Sequence, residues 1–103
     1  FPEMINLLNE AKSKNIKLAI VTASERTTTD LFIDKLGIRN LFDIIITRDD
    51  TEKTKPNPMP YLYCFERLSL DPQKSIIFED SDTGHAAALA SGSNVLRVSW
   101  YEI

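Results

Sequence analysis

Only one cysteine, Cys64, occurs among the 103 residues. No disulfide can close within the chain, which suits a reducing compartment and makes a cytoplasmic setting the expectation. Histidine is equally scarce. His85 stands alone, with no second metal-type partner near it in sequence, and reads as a structural or surface residue. Long apolar runs are missing too: stretches such as LAIV at 18–21 reach four to five residues, against the roughly 20 that a membrane span needs. The opening FPEMINLLNE has neither a basic n-region nor a long apolar core, so no signal peptide is expected. It does not begin with Met, which points to a fragment or a processed chain. Charge of one sign is not in excess either: 12 Lys and Arg stand against 15 Asp and Glu, for a net charge of -3. The basic residues are scattered between acids, so no stripe suits nucleic acid and no acidic tail suits a solvating segment.

What is present is ordinary for a small globular unit. Hydrophobic residues make up 43% and charged residues 26% of the chain, enough for one modest core, so residues 1–103 read as a single domain-sized piece. No internal repeat, low-complexity tract or linker divides it.

Helical and strand-like patterns alternate. Met4, Leu7, Leu8 and Ala11 have the i, i+3, i+4, i+7 spacing of an amphipathic helix over residues 2–14, with Pro2 suited to its first turn. KLAIVT (17–22) reads as a strand buried on both faces. Ser24 is placed to N-cap a second helix with Leu31, Phe32 and Leu36 on its inner face and Gly37 as its stop. DIIIT (43–47) is β-branched and reads as a second strand. The polar stretch RDDTEKTKPNP (48–58) reads as a loop, and the helix after it turns Tyr61, Leu62, Phe65 and Leu68 inward. SIIFE (75–79) is a third strand, residues 83–91 an Ala-rich helix stopped by Gly92, and NVLRVS (94–99) a fourth strand. Alternation of this kind predicts right-handed βαβ units, hence a Rossmann-like α/β fold with a parallel sheet and helices on both faces.

In open parallel sheets, ligands bind beyond the carboxyl ends of the strands. The first strand ends at Thr22-Ala23-Ser24, the second leads to a loop with Lys53 and Lys55, and the third ends at Glu79-Asp80. A hydroxyl and backbone N–H groups at a helix start bind phosphate oxygens. An ammonium offsets phosphoryl charge, and a carboxylate pair suits a hard ion such as Mg²⁺. A phosphate-and-magnesium site is the expectation. Ser81 and Asp82 are placed to cap the helix that follows, and Gly84 to permit close backbone approach. Cys64, mid-helix, reads as a buried thiol. Tyr61, Phe65 and Trp100 read as core or edge residues rather than a base-stacking platform.

The same residues resemble the motifs of haloacid dehalogenase-like (HAD) hydrolases, in the branch of phosphoglycolate phosphatase and β-phosphoglucomutase. IKLAIVTAS is similar to an apolar strand ending in Thr or Ser, KPNP at 55–58 to a Lys before Pro-x-Pro, and IIFEDSDTG to an acidic pair followed by Gly. FPEM resembles the stretch where such chains re-enter the core from a helical cap. The resemblance covers essentially the whole chain. It implies the C-terminal part of a core domain, with Lys55 and Thr22 as catalytic residues and with Thr22, Ala23 and Lys55 on the substrate phosphate. It also implies Asp80 and Glu79 at the metal, Mg²⁺ as cofactor and a small phosphorylated metabolite as substrate.

One family motif has no counterpart. No Asp-x-Asp-x-Thr/Val stretch opens a strand here, and Asp80-Ser81-Asp82-Thr83, which spells Asp-x-Asp-Thr, lies inside the acidic motif. The resemblance therefore implies an incomplete sheet, without the central strand that carries the nucleophilic Asp and without a cap, so that this chain by itself is expected to be inactive. An N-terminal half of the same protein or a second copy in a homodimer is the expected partner that completes the sheet. Phosphomutase activity and non-catalytic phosphate or partner binding are the alternatives. A receiver-like signalling domain requires its acids first, and here they come last.

Overall fold

A computed structural model describes residues 2–98. The order is α1 (Pro2–Ser13), β1 (Ala19–Val21), α2 (Arg26–Leu36), β2 (Ile44–Ile46), α3 (Met59–Leu68), β3 (Ile76–Glu79), α4 (Asp82–Ala90) and β4 (Asn94–Arg97), with short 3-10 turns at Arg39–Leu41, Arg48–Asp50 and Pro72–Lys74. The predicted alternation is present. Ser99 and Trp100 lie outside the described residues, as does Phe1.

The strands are parallel and fall into two pairs. β1 pairs with β2, aligning Ala19, Ile20 and Val21 with Ile44, Ile45 and Ile46. β3 pairs with β4, aligning Ile76 with Asn94 and Glu79 with Arg97. Among the described residues no ladder joins β1 to β3, so each keeps one edge without a strand neighbour. The two pairs are held together by helices instead. α3 packs on β1 and β2, α4 on β3 and β4, and the two helices touch. Tyr61, Phe65, Ala87 and Ala88 form the core between them, with Val21, Leu70, Ile77 and Val95 against it. Alanines at 87 and 88 let α4 approach closely, which is why both are fully enclosed.

Several local expectations are corrected. β1 is shorter than KLAIVT and is not buried on both faces: Ala19 is exposed and Ile20 and Val21 are half-buried, because among the described residues β1 has a strand neighbour on one side only. Ser24 is not the N-cap of α2. Glu25 holds that place without a side-chain bond, and the carboxylate of Asp49, from the turn after β2, accepts from the Arg26 N–H at 2.7 Å. The inner face of α2 is Thr29 and Ile33, not Leu31, Phe32 and Leu36, which are 73%, 63% and 49% exposed. The rotation is set by Arg26, whose guanidinium donates to the Ile45 carbonyl and to Asp50 on the β2 side. In α3 Leu62 is half exposed, and Pro60, Tyr61, Cys64 and Phe65 are the buried residues.

Other local features agree with the pattern. Gly37 ends α2 at φ 68°, in the left-handed region, which costs glycine nothing. Ser81 N-caps α4 by accepting from the Gly84 N–H at 3.0 Å.

Candidate active site

Three chain segments meet where the carboxyl ends of β1 and β3 face each other. Thr22 follows β1 and continues the ladder, its N–H donating to the Ile46 carbonyl at 2.9 Å. Its hydroxyl accepts from the Ser24 N–H at 3.1 Å, a local turn of the kind Thr makes readily. Ala23 and Ser24 are exposed at the rim. After β2, Thr47 closes a reciprocal cap with the Asp49 and Asp50 turn. Asp50 is held below the usual carboxylate range: burial would raise it, but Thr47 and Arg26 outweigh that. This braced turn launches the loop that carries Lys55.

Lys55 reaches across the space between the two strand pairs. Its Nζ donates to the Val21 carbonyl at 2.9 Å and to Glu79 Oε2 at 2.8 Å. Both side chains are nearly enclosed, 10% and 7% exposed. Lys53, the other lysine of the loop, stays exposed. The Lys55 side chain therefore links the last residue of β1 to the last residue of β3 where no strand does.

Glu79 is saturated. Oε2 also accepts from the Tyr61 hydroxyl at 2.5 Å, and Oε1 accepts from the Asp80 N–H at 3.0 Å and the Ser81 hydroxyl at 3.2 Å. Burial would push this carboxyl up, but the Lys55 ammonium and the Tyr61 hydroxyl bring it down to about 2. Burial, reinforced by the Glu79 charge, raises the Tyr61 phenol, which stays a donor. A carboxyl lowered from 4.5 to about 2 stabilises the fold fully above its unfolded value, and that stability fades as pH falls from about 4.5 toward 2. Denaturant unfolding at pH 3 should therefore show about 2 kcal/mol less stability from this group than at pH 7. Glu79→Gln should flatten the profile over that window, and an unchanged slope would contradict the pairing.

Asp80, next in sequence, is half-buried, and among the described residues its carboxylate accepts no hydrogen bond, unlike that of Glu79. Asp82 is directed away from the site, its side chain 96% exposed and paired with Arg97 at 2.9 Å. His85 is half-buried on α4, and its Nδ1 is enclosed without a partner. Cys64 is buried, and burial pushes its thiol up to about 11. Gly84 faces the Glu79 carboxylate so closely that an added Cβ would overlap it. Beside Thr22 lies a cavity of about 410 Å³ walled chiefly by Ile20, Phe32, Ile33 and Ile38.

The structure thus brings Lys55, Glu79 and the β1 end preceding Thr22 together, and sets Asp80 beside them. Two groups at the site are not marked by the sequence pattern: the hydroxyl of Tyr61, whose ring suits the core, and Ser81 as a donor to Glu79. The available signal for Tyr61 was weak: a buried tyrosine, unlike phenylalanine, usually needs a partner for its hydroxyl.

The chain belongs to the haloacid dehalogenase-like hydrolase family, which it matches over residues 1–98. It is 35% identical over 91 residues to the phosphorylated carbohydrates phosphatase of Thermotoga maritima, covering 88% of this chain and 42% of that protein. It is 31% identical to the phosphoglycolate phosphatase of Aquifex aeolicus, covering 97% of this chain and 47% of that one. The crystal structure of a HAD phosphatase from Thermococcus onnurineus superposes with a TM-score of 0.90 at 28% identity, over 100% of this chain and 48% of that chain. The chain spans less than half the length of these relatives.

Proposed function

We propose that this chain forms the phosphate- and metal-binding half of a phosphoric monoester hydrolase that works through an aspartyl-phosphate, the nucleophilic Asp coming from the half of the family fold that the chain does not span. The observation that carries this reading is the Lys55 ammonium, bonded to both the Val21 carbonyl and Glu79, the residues that immediately precede Thr22 and Asp80 in the chain. Lys55 has three N–H donors; among the described residues two are occupied, and the third would serve an anion. It offsets negative charge on the phosphoryl oxygens as the nucleophile attacks. Thr22 and the Ala23 N–H hydrogen-bond those oxygens and orient the group for in-line displacement. The substrate is a small phosphorylated metabolite, and the setting is the cytoplasm.

The donor set fits Mg²⁺ in part. Among the described residues no three acid, histidine or cysteine side chains converge on one point. An ion that keeps several waters needs few protein ligands, and among the described residues no donor reaches the Asp80 carboxylate. Asp80 would hold the ion directly; Glu79, its oxygens already taken, would stand behind it. Bound there, Mg²⁺ would supply charge shielding for the phosphoryl group and the attacking carboxylate. In an assembled enzyme, joined to the remaining half of the fold, Asp80→Asn should raise the Mg²⁺ concentration for half-maximal phosphate release by at least about tenfold. An unchanged requirement would remove Asp80 from the metal.

A second reading has its own observation. The open edges of β1 and β3 could take a strand from a second copy of this chain, giving a homodimer that binds phosphate without turnover. A phosphomutase would use the same groups and return the phosphoryl group to another hydroxyl.

A further inference from the structure

We propose that Tyr61 is a positioning residue of this phosphate site, its hydroxyl fixing the Glu79 oxygen that aims Lys55. The inference rests on the functional reading above and assigns a group that reading does not use. Tyr61 lies in the first turn of α3, only 5% exposed, in the core with Phe65, Ala87 and Ala88. Packing there needs the ring and not the oxygen. The hydroxyl nevertheless donates to Glu79 Oε2, the same atom that accepts from Lys55 Nζ. The ammonium also lies 5.0 Å from the centre of the Tyr61 ring, within the range of a favourable cation–π contact.

One residue therefore fixes the lysine in two ways, through the shared oxygen and through the ring. A carboxylate oxygen with two donors has a defined direction; with one donor it can swing toward the Asp80 N–H and the Ser81 groups that already hold Oε1. Such a swing would carry Lys55 Nζ away from the Val21 carbonyl and turn its third N–H off the phosphoryl position. Tyr61 never meets the substrate. It acts through Glu79 on Lys55, and so on charge that is larger in the transition state than in the bound ester.

The test is Y61F in the assembled enzyme, which keeps the ring and removes only the donor. With p-nitrophenyl phosphate and Mg²⁺, kcat should fall about tenfold or more while KM stays within about twofold, the pattern of an interaction stronger in the transition state. Replacing Tyr61 with 4-aminophenylalanine, which restores an N–H donor on the same ring, should recover most of the loss. Unchanged kcat in a Y61F protein that is folded by thermal scan would overturn the role. So would a Y61F protein that does not fold, since the hydroxyl would then serve stability alone. No turnover by the unsubstituted enzyme would instead overturn the functional reading, and this role with it.

Discussion

Lys55→Met in an assembled enzyme should reduce kcat for a phosphate monoester by roughly 100- to 1,000-fold, the range for removing one donor from a site of developing negative charge. The substitution has a second effect that must be separated from the first. Glu79 would keep its burial and lose its cation, and an unpaired buried charge costs about 3–5 kcal/mol. A loss of activity alone could therefore reflect partial unfolding. The double variant Lys55→Met/Glu79→Gln resolves this. It removes the stranded charge, so most of the stability should return, while kcat stays as low as in the single variant. If kcat recovered together with stability, the ammonium would be a structural tie between β1 and β3 and not part of the chemistry.

Gly84→Ala should lower stability by about 2–4 kcal/mol, and the balance of effects gives the sign. In an ordinary helix the change would gain up to about 1 kcal/mol from propensity. Here the new methyl overlaps the Glu79 carboxylate, and overpacking costs about 1–3 kcal/mol. A free surface carboxylate could simply turn aside. This one is held by Lys55, Tyr61 and Ser81, so moving it disturbs a buried ion pair, whose disruption costs about 3–5 kcal/mol when complete. The steric and electrostatic costs outweigh the propensity gain. For a chain of this size the melting temperature should fall by roughly 10–25 °C. Gly92→Ser makes a useful contrast: its φ of 87° strains a side chain, but nothing lies within 4 Å, so only the backbone cost applies. A Gly84→Ala protein as stable as its parent would show that Glu79 is not fixed as described.

The parts of the molecule fixed by local patterning were legible in the sequence. Alternating apolar runs gave the order of helices and strands among the described residues, and Gly37 and Ser81 behave as their chemistry dictates, whereas the cap expected at Ser24 does not form. Strand ends in a parallel sheet gather whatever residues follow them, which is why Lys55 meets the Val21 carbonyl and Glu79 at one rim. What was hidden depends on partners distant in sequence. Nothing near Arg26 shows that Asp49 would take its N–H, or that Asp50 and the Ile45 carbonyl would set the rotation of α2. The leucines and phenylalanine of α2 looked like a core stripe because hydrophobicity is a local property and burial is not. Tyr61 was hidden for the same reason. Its hydroxyl finds Glu79 across 18 positions of sequence, and pattern alone gives it only a ring.

The most direct measurement is phosphate release by the 103-residue chain alone, with p-nitrophenyl phosphate and Mg²⁺, in parallel with the chain joined to the remaining half of the fold. The chain alone should give no turnover above background, and the joined protein should give Mg²⁺-dependent turnover. Robust hydrolysis by the chain alone would mean that it carries its own nucleophile, and the proposed division of the site between two halves would be wrong.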